Sequence, residues 1–120
     1  MSGAAFNLEA ALVAWLAERL DCPVSQLVPA TRPTRFVTLQ RTGGAMEIGL
    51  DHPVIAVDAW GESPFEASEL ALQARDLIIH QAVGIPNVRH VEVGSGPYLS
   101  PDADSGQPAY RITFNLTTQP

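Results

Sequence analysis

The chain has 120 residues and a formal net charge of −6, with 46% hydrophobic and 17% charged residues, and its seven basic residues are all arginine. That length and balance fit one globular domain and exclude wholesale disorder; mass scaling gives about 6,300 Å² of folded surface against about 18,600 Å² unfolded, so roughly two-thirds is buried. An acidic chain without a basic cluster is a poor candidate for gripping a phosphate backbone over its whole surface.

The first predicted element is a helix over about residues 8–20, because Leu8, Ala11, Leu12, Trp15, Leu16 and Leu20 recur at helical spacing. Asn7 suits its N-cap and Pro23 ends it. The proline-rich stretch CPVSQLVPATRPTR then reads as an extended connector. Phe36–Arg41 alternates Val37 and Leu39 against Thr38 and Gln40, the pattern of a half-buried strand. RTGGAMEIGLDHP follows as a long loop. Within it Met46, Ile48 and Leu50 alternate, which fits either an exposed docking arm or an extension of the first hairpin into the core. Val54–Trp60 is a second strand, apolar enough on both faces to be central.

Ser63-Pro64-Phe65-Glu66 carries a cap, a first-turn proline and a capping-box glutamate, so a helix runs from about 64 to 82 with Ala67, Leu70, Ala71, Ala74, Leu77 and Ile78 inward. Gly84 and Pro86 stop it. Val88–Val93 is a third strand, GSGPYLSPDADSGQP a second long loop, and Ala109–Thr117 a last strand with Tyr110, Ile112, Phe114 and Leu116 on one face. The expected fold is therefore α+β: one domain over residues 1–120, two-layer, with a mostly antiparallel four-stranded sheet packed against two helices in the order α-β-β-α-β-β. Trp15, on the helix stripe, is expected in the core; Trp60, on the strand face that carries Asp58, is expected to be half-buried.

No set of residues converges on a reaction, so no catalytic, cofactor-binding or metal-binding residue is assigned. His52, His80 and His90 are far apart, and Asp102 and Asp104 lack the ligand count of a calcium loop, which leaves a polar turn. The single cysteine, Cys22, excludes an internal disulfide and reads as a small apolar group beside the first helix. Gly94-Ser95-Gly96 is half of a nucleophile elbow with no helix after it. No apolar run is long enough to span a membrane, and MSGAAFNLEAAL has no basic leader, so the expected site of synthesis and residence is the cytoplasm. What remains is two long loops in a small domain with open sheet edges, a combination that favours an assembly protein over an enzyme. Arg32, Arg35 and Arg41 around the first strand, and Asp102 and Asp104 in the last loop, are then candidates for pairing between subunits.

The run PTRFVTLQRTGGAMEIGLDHPVIAVDAWGESPFEASELALQARDLI, with the closing DSGQPAYRITFNLTT, resembles the tail terminator family of long-tailed, siphovirus-type bacteriophages, in the form common in phages of actinobacteria. The likeness lies in the Pro-Thr-Arg-Phe-Val opening, the Arg-Thr-Gly-Gly step, the Asp-His-Pro-Val-Ile strand ending in Ala-Trp, the Ala- and Leu-rich helix, and the Gly-Gln-Pro turn into the last strand. It covers about residues 32–118; Ala45-Met46-Glu47-Ile48 departs from the basic or polar residues usual there. The resemblance implies a structural virion protein without enzymatic activity or cofactor. It would form a homohexameric ring at the head-proximal end of the tail, assembled in the host cytoplasm. It would cap the tail tube, stop its polymerisation and meet the head-tail connector protein, while genomic DNA slides through an acidic lumen without specific binding and no membrane is involved. Arg32, Arg35, Arg41, Met46, Ile48, Leu50, Asp102 and Asp104 are the expected contacts with subunits or tail tube. The competing expectations are another neck protein, a head-completion or connector subunit, and a small ligand-binding α+β domain.

Overall fold

The computed structural model describes residues 6–119. Helix α1 spans Leu8–Arg19, with the Asn7 side chain accepting from the Ala10 amide and Leu8, Leu12 and Leu16 buried. Five strands follow: β1 Val24–Ser25, β2 Phe36–Gly43, β3 Met46–Glu47, β4 Leu50–Asp51 and β5 Val54–Trp60. Helix α2 covers Pro64–Gln81 and runs into a short 3-10 turn, Ala82–Gly84; β6 is Val88–Leu99 and β7 Ala109–Thr118. Ser63 Oγ accepts from the Glu66 amide at 3.1 Å, as the capping signal predicts, but the Glu66 carboxylate reaches back to Glu62 N rather than to the cap itself.

The α+β order of long elements is as the periodicity predicts, but the sheet is mixed and seven-stranded rather than four-stranded and antiparallel. The four long strands lie antiparallel in the order β2-β5-β7-β6. β1, in the proline-rich connector, adds to β2 in parallel. β3 and β4 form a small hairpin at the far end of β2 and β5, with β4 continuing the line of β5 along β7. Such two-residue strands are too short for any periodicity to show.

β6 is twice the predicted length, because Gly94–Leu99 continue the strand instead of opening the loop. Its glycines and proline read as breakers, yet they sit at register shifts against β7. A side chain at Gly96, φ +89°, would collide with the Arg111 carbonyl, so only glycine fits there. The second long loop shrinks to residues 100–108.

Register assigns each strand residue to a face. One face carries Val37, Leu39, Ile55, Val57, Ala59, Ile112, Phe114 and Leu116, and it packs with α1 and α2 into the main core. On the other face Phe36, Trp60 and Ala109 make a second, smaller core. Trp60 is thus buried rather than half-buried, its ring stacked on Phe36 at 5.3 Å. Trp15 is the half-exposed tryptophan, with the Arg19 guanidinium 4.3 Å above its ring. The sheet edges are better protected than their sequence suggests. β2 is covered by β1 and by Glu9, which accepts from Arg41 N, while β6 carries three register shifts, Pro97 and charged residues.

Candidate functional site

The exposed feature built most deliberately is the hairpin arm formed by β3, β4 and their turn. At its root the β2–β5 register shifts between Arg41 and Gly43, a bulge that bends the strand. Gly44, φ +100°, then passes so close to the His52 carbonyl that any Cβ would collide with it. His52 N continues the ladder by donating to Ala45 O at 3.0 Å. The Gly43-Gly44 pair therefore marks a close passage of two backbones, where the β2–β5 ladder continues into β3–β4, rather than a slack loop.

Arg41 pins this root. Its guanidinium meets Asp51 through both terminal nitrogens, at 2.5 and 2.8 Å, and donates to the carbonyls of Gly43 and Gly44 at 3.0 and 3.1 Å. Its backbone N–H donates to Glu9 of α1. Asp51 is buried, and the Arg41 guanidinium beside it holds its carboxyl below the usual carboxylate range. Beyond the root the tip faces solvent, with Met46 61% exposed and Ile48 fully so, while Leu50 is half-buried. Of the two readings the alternation allows, the tip is an exposed arm, while its base at Asp51 belongs to the fold.

The other candidate residues divide. Arg32 lies over the Trp60 ring at 5.5 Å and donates to Asp102 and to Gln107, both at 3.2 Å. Arg32 and Asp102 do meet, but within one chain, as a strap across the second core. Asp102 also caps its own turn, accepting from the Ser105 amide and hydroxyl at 2.9 and 2.7 Å. The Ser105 hydroxyl and amide, then Arg32, lower its pKa. Arg35 is tied to Asp21 and Gln73, not to Asp102, and lowers the Asp21 pKa. Asp104 is exposed on the loop. With Arg41 on Asp51, all three arginines hold carboxylate partners inside their own chain. Cys22 packs against the main core, and burial pushes its thiol pKa up, away from a reactive thiolate.

Two open clefts flank these elements. One, about 310 Å³, runs from Phe6 and Leu8 to Pro53 and Ile55 with the Arg41–Asp51 pair on its wall. The other, about 260 Å³, lies at the opposite end of β5, between Arg35 and the start of α2, with Phe65 and Glu62, Glu66 and Glu69 on its rim. Among the described residues no group of three His, Cys, Asp or Glu side chains is placed to hold a metal, and no helix is long and apolar enough to cross a membrane.

Two features escape the sequence reading. Asp58 and Arg111 form a bidentate ion pair on the sheet face without helices, at 2.8 and 2.9 Å; opposite charges on partner strands were its only trace. The outer side of α2 carries Phe65, Leu72 and Ile79, and the 3-10 turn after it carries Val83; their spacing of seven, seven and four is visible in the sequence but falls outside the core stripe. Compared with family models and with curated proteins, the chain matches none.

Proposed function

We propose that the chain is a ring-forming structural protein of a bacteriophage tail that caps the tail tube, stops its polymerisation and joins it to the head connector. The observation that carries this reading is the arm. A pinned root holding Met46 and Ile48 in solvent has no role inside the chain, and an exposed apolar hairpin tip is a contact waiting for another protein. The motifs behind the resemblance run along the two strands that lead into and out of it: Phe36-Val37 opens β2 at the far end, Gly43-Gly44 stands at the root, and β5 returns from the arm to Trp60. Because Arg32, Arg35 and Arg41 are satisfied internally, subunit and tail-tube contacts fall to Met46, Ile48 and Leu50 rather than to ion pairs. A head-to-tail contact of this kind joins two unlike surfaces and closes into a ring when its rotation allows. The net charge of −6 suits a lumen through which DNA passes without sticking.

Deleting the gene from a phage that encodes the chain tests the reading directly. Tails of uncontrolled length that fail to join heads are the expected result, and tails of normal length would overturn the capping role. A gene for the major tail protein immediately downstream separates a tail terminator from a head-completion or connector subunit.

A further inference from the structure

We infer that the outer side of α2 is a second docking surface, and that its occupant is a basic amphipathic helix of another protein. The inference goes beyond the ring, because this surface lies on the helix layer, away from the arm. α2 buries Ala67, Leu70, Ala71, Ala74 and Ile78 against the sheet. At 100° per residue, Phe65, Leu72 and Ile79 of α2 fall on the side away from that buried set, and Val83 follows them in the 3-10 turn. Phe65 is 71%, Leu72 44% and Val83 51% exposed, while Ile79 is half-buried and its inner side packs against the main core. Phe65, Leu72 and Ile79 recur every seven residues over about four turns, roughly 21 Å, and that is the spacing a partner helix reads. An ordinary surface helix carries polar residues there, since the core is served by the other face.

Charge selects the occupant. Glu69 and Asp76 interleave with the row on one flank, both exposed, and Glu62 and Glu66 extend the acidic rim at its N-terminal end. The other flank offers Ser68 and Arg75, and Arg75 is 3.6 Å from Asp76. A second copy laid antiparallel across this face would set acidic rim against acidic rim and Arg75 close to Arg75 of the partner subunit. The chain's overall charge of −6 opposes it as well. A helix with apolar residues at seven-residue spacing and Lys or Arg beside them satisfies both the row and the rim. The steep salt dependence of such a contact would distinguish it from plain apolar adhesion.

The test uses the full chain and a synthetic 21-residue helical peptide with Leu every seventh and alternate fourth position and Lys flanking them. Its controls are the same peptide with Glu for Lys, and one with the Leu positions scrambled. Binding is followed by the shifts of backbone amide resonances in the chain. The expected result is binding of the Lys peptide alone, with shifts confined to α2, weakened about tenfold between 50 and 300 mM salt. Leu72→Ser and the double variant Glu69→Lys/Asp76→Lys should each weaken it at least tenfold, while Ile48→Ser leaves it unchanged. All the substituted residues are exposed, and matching thermal midpoints confirm folding. Equal binding of the Glu peptide, shifts away from α2, no binding at 1 mM peptide, or undiminished binding to Leu72→Ser would each overturn the inference. A change in the chain's own oligomeric state on Leu72→Ser would assign the face to a second copy and overturn it too; the ring reading, which rests on the arm, would survive every one of these outcomes.

Discussion

The two faces of the sheet are buried by different means. On the helix side Val57, Ile112, Phe114 and their neighbours meet two amphipathic helices, and the contact is aliphatic and non-directional. On the other side no helix arrives. Phe36 and Trp60 stack, Trp60 Nε1 donates to Thr38 Oγ1 at 3.2 Å, and Arg111 grips Asp58, while Arg32 and the 100–108 loop close over the top. Among the described residues no buried side-chain polar atom lacks a partner. The helix face tolerates imprecision because apolar packing depends mainly on area and volume, whereas the other face holds only while every polar partner is present.

The two tryptophans test this difference most severely. Trp60→Ala should cost about 3–5 kcal/mol, as for a buried aromatic in a core, because it removes the Phe36 stack, the hydrogen bond to Thr38 and the Arg32 cation–π contact. Trp15→Ala should cost only about 1–2 kcal/mol, since that ring is half-exposed and loses a cation–π contact with Arg19. Urea unfolding of both variants measures the gap. Equal midpoint shifts would mean that the second core contributes no more than a surface contact.

The Asp58–Arg111 pair sharpens the comparison further. Arg111→Met strands a carboxylate that is almost fully buried. The loss should be about 2–3 kcal/mol, below the 3–5 of a fully enclosed pair because a third of the Arg111 side chain stays exposed. Replacing both, Asp58→Leu with Arg111→Met, should recover most of that loss, because an apolar pair needs no partner. A double variant as unstable as the single one would show that shape, not charge, is what the face requires.

How far the sequence discloses each face follows from the range of the contacts. Helix α1, helix α2 and the alternation of β2, β5 and β7 are local signals, and together they define the main core. The second core depends on Arg32 meeting Asp102 and Gln107, seventy and seventy-five residues away, and no local period carries that. The same limit explains the arginines. Their clustering near β2 is visible, but Asp21, Asp51 and Asp102 become their partners only once the chain has folded. The arm is legible as alternation at Met46, Ile48 and Leu50, yet its pinned root is not, because Glu9 and Asp51 reach Arg41 from different elements.

Acid reveals that root. Asp51 has a lowered carboxyl pKa in the folded chain, so its contribution is complete above the ordinary carboxylate value near 4 and is lost as pH falls through the lower folded value. Asp51→Asn should cost about 1.5–3 kcal/mol at neutral pH, the range for hydrogen bonds to a charged group. The gap between variant and wild type should narrow as the solution is acidified. A gap that stays constant from pH 7 to pH 2 would remove the Arg41–Asp51 pair from any role in stability.

The smallest expected effect on stability is the most informative about assembly. Met46 and Ile48 stand beyond the root, and neither belongs to either core. Replacing both with serine should leave the unfolding midpoint within about 0.5 kcal/mol of wild type, the usual range for exposed positions. Ile48 also precedes Gly49 in a turn whose backbone needs no apolar side chain, so the hairpin has no local reason to prefer isoleucine there. If the chain forms the proposed ring, sedimentation of the double variant should show subunits in its place, with β3 and β4 still protected from hydrogen exchange as in wild type. If the ring persists, the tip is not the joint; if exchange at the root rises with the ring intact, the two side chains serve the hairpin itself. Asp51→Asn supplies the converse, loosening the root while the tip stays apolar, and so separates an arm that must be rigid from one that need only be greasy.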